Sequence, residues 1–447
     1  MRLNPRVVIL GAGESGVGAA LLARSKGIEV FVSDKGQIRG DYRSELELAG
    51  IAYEEQQHSA EIILEADEII KSPGIPDLAP IVKAAKDKGI PVISEIEFAS
   101  RYTRSKKVCI TGSNGKTTTT MLTYHLLKSA GLDVGLAGNV GKSFARQLTE
   151  GDHDYFVLEL SSFQLDGMFS FKAEVGILLN ITPDHLDRYD YCFDNYAASK
   201  LRIIRNQAEQ DAFIWCSDDE TIVSLLKNLE MKQECYQISI KEKINHGAYA
   251  DNKEIVFNLK GETFDMTLEE LALQGKHNVY NSMAAGVAAK LVGLRKETIR
   301  QCLSDFQNVE HRLEFVANIH GIEFINDSKA TNINSVWYAL ESLNKKVIWI
   351  AGGIDKGNDY TKLFELVSQK VKAIVCLGID NEKLIEAFKD KVEFIMEASS
   401  AEEAVNTAYY LARKGDTVLL SPACASFDLF ENYEERGRKF KEAVKSL

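Results

Sequence analysis

Val108-Cys109-Ile110-Thr111-Gly112-Ser113-Asn114-Gly115-Lys116-Thr117-Thr118 reads as a short apolar strand that breaks into a glycine-rich turn and re-enters a helical pattern. Such a turn aims successive backbone N–H groups out of the positive end of a helix, which suits a phosphate. In that reading Gly112, Ser113, Asn114, Gly115 and Thr118 build the cradle, Lys116 reaches the terminal phosphates and the Thr117 hydroxyl ligates Mg²⁺. The loop departs from the usual GxxxxGK(S/T) form, because Ile110 stands where the first glycine would be. A GK(S/T) triplet alone is a weak signal, and the strand before it and helix after it are what give it weight.

Downstream, the apolar run Tyr155–Leu160 carries Glu159 at its end, just before Ser161-Ser162-Phe163-Gln164. A carboxylate there can reach the Mg²⁺ of the phosphate loop, or can simply hydrogen-bond the turn. The strand Val175–Leu179 leads into Asn180-Ile181-Thr182-Pro183-Asp184-His185-Leu186-Asp187-Arg188, where His185 is a candidate ligand for a second metal. In the helical run Tyr196–Ile204, the neighbours of Lys200 at one turn's spacing are Tyr196, Ala197, Ile203 and Ile204, so Lys200 lies on the apolar face. Burying an ammonium is costly, so its pKa should fall. A neutral amine can add CO₂ to give a carbamate, which is a metal ligand. The other reading is a lysine that snorkels to solvent.

Upstream, the strand Val7–Leu10 meets Gly11-Ala12-Gly13-Glu14-Ser15-Gly16, a helix pattern runs through Lys26, and Asp34 follows the strand Val30–Ser33. This GxGxxG in a βαβ opening would by itself suggest NAD, or only a tight structural turn. Further strands are expected at Glu68–Lys71, Lys346–Ala351, Ala373–Leu377 and Thr417–Leu420, with helical patterns between most of them. Alternation of this kind predicts an α/β protein with mostly parallel sheets and ligands at the carboxyl ends of the strands. A chain of 447 residues exceeds one core, so about three domains are expected. New strand–helix series begin after Ser94 and after His311, which sets the expected domains at 1–94, 95–308 and 309–447.

The net charge of −12 argues against nucleic acid, because phosphate backbones need a basic face. An anionic small substrate must then be met by local lysines, arginines, metal ions or helix ends. No apolar run approaches the roughly 20 residues of a membrane span, and the opening MRLNPRVVIL is too short in apolar residues for a signal peptide. Seven cysteines, at 109, 192, 216, 235, 302, 376 and 424, show no CxxC pair, and their odd number points to reduced thiols in a cytoplasmic protein.

TGSNGKTT, LELSSFQL, NITPDHLDR, YAASKLRI, GKHNVYNSMAA, EHRLE, NDSKATN and SPACASFDLFENYEERG resemble, in sequence and in order, the motifs of the Mur ligases, and the resemblance runs from Val7 to about Phe440. It implies three domains: Rossmann-like, phosphate-loop ATPase-like and Rossmann-like. It implies that the substrate carboxylate is activated by ATP as an acyl phosphate and then joined to an amino acid. The last two motifs most resemble the member that adds D-glutamate to UDP-N-acetylmuramoyl-L-alanine. Related ligases for other amino acids, and the folylpolyglutamate synthetases, share the central loop but differ in those motifs.

On that resemblance Gly13, Glu14, Ser15, Gly16, Asp34 and Lys35 hold the uridine diphosphate, and Asn139 in the AGNVG turn touches the substrate near the metals. Asn278 and Asn281 approach the adenine of ATP, Arg312 and Lys329 meet its phosphates, and Asp327 faces the nucleotide. Thr331, Lys356, Ser426 and Phe427 cradle D-glutamate, with Tyr433 nearby. One Mg²⁺ is expected at Thr117 and Glu159, and a second at His185 and a carbamylated Lys200. The family likeness implies a monomer whose C-terminal domain closes over the site. Two other classes compete. An NAD-dependent dehydrogenase would use GxGxxG and Asp34 but leave the second phosphate loop idle. A GTPase-like switch would carry an NKxD-type guanine reader, and the sequence has none.

Overall fold

The computed structural model describes residues 5–227, 229–259, 261–306, 310–343 and 345–447. Its first sheet is wholly parallel and runs, edge to edge, Ala52–Glu54, Glu29–Ser33, Arg6–Leu10, Glu68–Lys71, Val92–Ile93. Val7 to Leu10 of the middle strand are all buried, as a strand covered on both faces requires. The strand order reverses beside this strand, and the glycine turn Gly11–Gly16 opens from its carboxyl end into the helix Glu14–Ser25.

The central sheet has nine strands. At its heart Lys106–Thr111 lies parallel between Tyr155–Glu159 and Val175–Leu178, so three carboxyl ends open on one side. Val134–Gly138 completes one edge, and Ala212–Cys216, Glu234–Ser239 and Gly247–Ala250 extend the other in parallel. Glu254–Leu259 and Glu262–Thr267 then close it as an antiparallel pair. The sequence reading did not find these last five strands.

The third sheet runs Glu314–Ile319, Ile322–Asn326, Thr417–Ala423, Val347–Gly352, Val371–Leu377, Phe394–Ala398, antiparallel only in its first pair. Alternate residues of its middle strands feed two cores. Val347, Trp349, Ile374 and Leu419 pack on one face, and Ile348, Ile350, Val375 and Val418 on the other.

Two compact units result. One holds Met1–Leu271 with Val279–Phe306, and so contains both the first and the central sheet; the other holds Ala272–Asn278 with Gln307–Leu447. The domain boundary expected at residues 308/309 lies outside the described residues. Among the described residues no helix is long and apolar enough to cross a membrane. All seven cysteines are free thiols.

Candidate active site

Gly115 takes φ +84°, and a Cβ there would stand 2.4 Å from Asn281 Oδ1, so both backbone and space call for glycine. The turn ahead of it is pinned from the next strand end. The Asn180 side chain accepts from Asn114 N at 2.8 Å and donates to Asn114 O at 3.0 Å. Ser113 Oγ donates to Thr182 O and lies 2.8 Å from Tyr196 Oη. Behind the turn runs the helix Lys116–Ser129, with Thr117 buried in its first turn.

Lys116 Nζ donates to Gly112 O and Ser113 O, both at 2.8 Å. Lys200 Nζ donates to the same Gly112 O, also at 2.8 Å. Two amines therefore share one carbonyl oxygen. Lys200 is only 2% exposed, in the helix Phe193–Leu201, with its amine 4.7 Å from the centre of the Tyr196 ring. Burial, and then the charge of Lys116, push the Lys200 amine well below the ordinary lysine range. The apolar placement expected of Lys200 is what the helix produces; it does not snorkel.

Glu159 closes its strand with 1% exposure, and its Oε1 accepts from Asn139 Nδ2 at 2.9 Å. Asn139 N in turn donates to Glu159 O at 2.9 Å. A hydroxyl such as that of Thr117 and a carboxylate such as that of Glu159 are hard oxygen donors of the kind Mg²⁺ prefers. His185 sits in the left-handed region at φ 51°, its ring edge-on to Phe163 with centroids 5.2 Å apart.

At the first sheet the glycine turn is built differently. A Cβ on Gly16 would fall 1.8 Å from Gly11 O, so this glycine lets helix and strand meet. The Asp34 carboxylate accepts from Ala12 N at 2.6 Å and from Gly36 N at 2.7 Å. One oxygen thus braces the glycine turn and the other its own loop, so both are engaged by backbone amides. Glu14 is engaged as well: Arg146 Nε and Ser143 N both donate to its Oε1 at 2.9 Å. Ser15 is half-buried, while Gly13 and Lys35 are exposed.

In the C-terminal unit, Asp327 is buried between Ser421 Oγ at 2.8 Å and Leu313 N at 3.3 Å, and burial raises its carboxyl to about 7. Lys329 lies 5.2 Å from the centre of the Tyr433 ring. Ser426 is buried, Thr331, Arg312 and Tyr433 are half-buried, and Lys356 and Phe427 are exposed. Asn278, also in this unit, donates from Nδ2 to Gln274 O at 2.9 Å. In the other unit Asn281 Oδ1 accepts from Thr119 Oγ1 at 3.1 Å, against the phosphate-loop helix.

Sequence reasoning missed Arg436. It is 1% exposed and donates to Ser328 Oγ (3.1 Å), Ser328 O (2.9 Å) and Cys424 O (3.3 Å), tying together the loops NDSKATN and SPACASFD. Burial lowers its pKa to about 10. Among the glutamates of ENYEERG it reads as a surface charge, and only the register of the helix Tyr433–Lys445 reveals it. Asn180 and Tyr196, which shape the phosphate loop, were likewise quoted in motifs without a role.

Three family models match the chain: a Mur ligase MurD-like N-terminal domain over residues 5–94, a Mur ligase middle domain over 110–289, and a Mur ligase glutamate ligase domain over 311–424. A protein of Christiangramia forsetii described as UDP-N-acetylmuramoylalanine–D-glutamate ligase is 54% identical over 445 residues, all of both chains. Proteins of the same description from Bacteroides fragilis (55%, covering 99% of this chain and 100% of that one) and Porphyromonas gingivalis (56%, all of both) are similarly alike. Among solved structures, UDP-N-acetylmuramate–alanine ligase of Thermotoga maritima shares the fold with a TM-score of 0.64 at 20% identity, covering 99% of this chain and 100% of that one. A MurF ligase of the same organism in complex with ADP gives 0.62 at 16%, over 95% and 99%.

Proposed function

This chain belongs to the Mur ligase family, and we propose that it joins D-glutamate to the alanyl carboxylate of UDP-N-acetylmuramoyl-L-alanine in an ATP-dependent step of peptidoglycan precursor synthesis. One observation carries the reading: the full-length likeness to three D-glutamate ligases extends through the C-terminal loops, the part in which sister ligases differ. The UDP-sugar and ATP place the reaction in the cytoplasm. The chain acts as a monomer of three domains, 1–94 for the UDP-substrate, 95–308 for ATP and 309–447 for the amino acid.

The alanyl carboxylate attacks the γ-phosphorus of ATP, ADP leaves, and the acyl phosphate forms. The amine of D-glutamate then attacks the acyl carbon, loses a proton, and phosphate departs from the tetrahedral intermediate. Both partners of the first step are anions, so the chain must supply positive charge where they meet. Lys116 has its amine held on the carbonyls of Gly112 and Ser113, within the turn that would cradle the phosphates. Thr117 and Glu159 would hold one Mg²⁺, and His185 with a carbamylated Lys200 would hold another. Such ions would supply the positive charge that screens the approach of carboxylate to phosphate. Carbamylation suits Lys200: burial and the charge of Lys116 favour its neutral amine, which can add CO₂ and release a proton to leave an anion beside Lys116.

Asn278, Asn281, Arg312, Asp327 and Lys329 serve ATP in this scheme, and Thr331, Lys356, Ser426, Phe427 and Tyr433 serve D-glutamate. At the substrate's nucleotide end the backbone of Gly13–Gly16, the Ser15 hydroxyl and the charge of Lys35 do the binding, with Asn139 nearer the metals. Asp34 and Glu14 act there by bracing the turn.

Phosphate release, measured with ATP, Mg²⁺ and UDP-N-acetylmuramoyl-L-alanine, tests the reading with D-glutamate, L-glutamate, L-lysine and meso-diaminopimelate in turn. Release with D-glutamate alone is expected. Release with another amino acid would move the chain to a sister ligase, and release with none would withdraw the substrate.

A further inference from the structure

Arg188 ends the short turn Leu186–Arg188 that follows His185. Its guanidinium donates to three successive carbonyls of the loop after the strand Glu68–Lys71: Pro73 O at 3.2 Å, Gly74 O at 3.4 Å and Ile75 O at 3.1 Å. That loop is anchored to the glycine turn of the first sheet, because Ser72 N donates to Leu10 O at 2.9 Å and Ser72 Oγ to Gly11 O at 3.3 Å. Lys71 Nζ adds a second cationic donor to Ile75 O at 2.8 Å. On its other side the guanidinium lies 4.4 Å from the centre of the Phe163 ring, whose edge meets His185. One side chain thus touches both the loop beside the glycine turn and the aromatic that backs His185.

We propose that Arg188 is a positioning residue that straps the loop Ser72–Ile75 to the His185 loop, and so fixes the span between the nucleotide end and the carboxylate end of one substrate. The use assigned to the strap rests on the function proposed above. That substrate carries its diphosphate and its reacting carboxylate at opposite ends, bound by different sheets. Reaction requires the carboxylate to arrive within a fraction of an ångström of its attack position, so the spacing of the two sheets is part of the site. A planar fork can hold several carbonyls and stack on an aromatic face at once. A lysine, as a point charge, cannot.

Two measurements on Arg188→Ala and Arg188→Lys separate the strap from its use. In Arg188→Ala, amide hydrogen exchange should quicken by about tenfold or more at Ser72, Gly74 and Ile75, the residues of 72–76 that carry an amide hydrogen, and in 185–189 together, with the phosphate loop 111–118 unchanged. In both variants the KM for UDP-N-acetylmuramoyl-L-alanine should rise about tenfold, with the KM for ATP held within about twofold. With N-acetylmuramoyl-L-alanine, which lacks the nucleotide, wild type and variants should share one kcat/KM, because there is no second anchor to misplace. Unchanged exchange at 72–76 would refute the strap whatever the reaction. Quickened exchange with both KM values moving equally would refute the positioning role. Wild type inactive on the UDP-substrate would withdraw the functional reading, and the exchange result would still decide the strap.

Discussion

The chain makes the same backbone device twice, and among the described residues the second gathers two lysine amines on one carbonyl of its turn. At Gly11–Gly16 and at Gly112–Thr118 a buried parallel strand ends in a glycine turn that opens a helix. In the first, acidic side chains are the bracing groups: Asp34 accepts from Ala12 N and Gly36 N, and Glu14 accepts from Arg146. In the second, Lys116 and Lys200 converge on the carbonyl of Gly112, with Glu159 at the neighbouring strand end. Binding a diphosphate that does not react needs amides at a helix end. Transferring a phosphoryl group needs charge that can follow the reaction. In the function proposed above, the turn would supply the first, and Lys116 with side chains from other elements would supply the second.

The sharpest way to break this contrast is Lys200→Ala. It should cost about a hundred- to a thousandfold in kcat, the scale set by losing one preorganised charge stabiliser. Formate or acetate, filling the place of the carbamate, should restore part of it in a phosphate-release assay. An active variant with no response to carboxylates would remove Lys200 from the chemistry.

Next come two crowded glycines, one in each turn. Gly16→Ala drives a methyl to 1.8 Å from Gly11 O, and Gly115→Ala drives one to 2.4 Å from Asn281 Oδ1 at a left-handed φ. Each should lose about 2–3 kcal/mol of stability in urea unfolding, through overpacking. The two should then diverge: Gly115→Ala raises the KM for ATP, whereas Gly16→Ala raises that for the UDP-substrate. Loss of both affinities in both variants would mean that the turns are not separate sites.

A pH-dependent effect is expected where the two copies meet. Glu95 and Glu97 share one buried helix, Glu95–Ser100. Glu97 accepts from Phe169 N, Ser170 N and Phe171 N. Glu95 accepts from Ala145 N only, and its second oxygen has no hydrogen-bond partner among the described residues. Burial raises its carboxyl from 4.5 to about 8. A folded-state pKa above the unfolded one means that the native state keeps the proton longer. The stability that this group contributes is therefore complete below 4.5 and lost as pH climbs through about 8. Across that window wild type should lose on the order of 5 kcal/mol that Glu95→Gln keeps, read from urea midpoints. Parallel pH profiles for the two proteins would place the ionisation elsewhere.

Much of this was legible in the sequence because it is local. The strand–glycine–helix units, the apolar face of Lys200 and the carboxylate ending Tyr155–Glu159 follow from period and spacing. What could not be read depends on partners distant in the chain. Glu14 looks like a ligand residue until Arg146 arrives from 132 residues away. Arg436 looks solvated until its helix turns it onto Ser328. The strands from Ala212 to Thr267 escaped because β propensity takes its meaning from the neighbours a strand packs on, and the antiparallel pair at the end, Glu254–Leu259 and Glu262–Thr267, has no glycine–helix punctuation to announce it.

The finest test of the contrast is Gly13→Ala. Gly13 is exposed, its φ is −82°, and a Cβ built there meets nothing within 4 Å. The backbone accepts alanine without strain, so stability should move by less than about 0.5 kcal/mol. If the turn's amides take the diphosphate, the methyl stands in the open space its oxygens must enter. The KM for UDP-N-acetylmuramoyl-L-alanine should then rise about three- to tenfold with the KM for ATP unchanged. A glycine that folding does not need but binding does is the mark of a site where backbone alone approaches the ligand. An unchanged KM would make the first turn a structural bend, and the likeness between the two copies would end at the backbone.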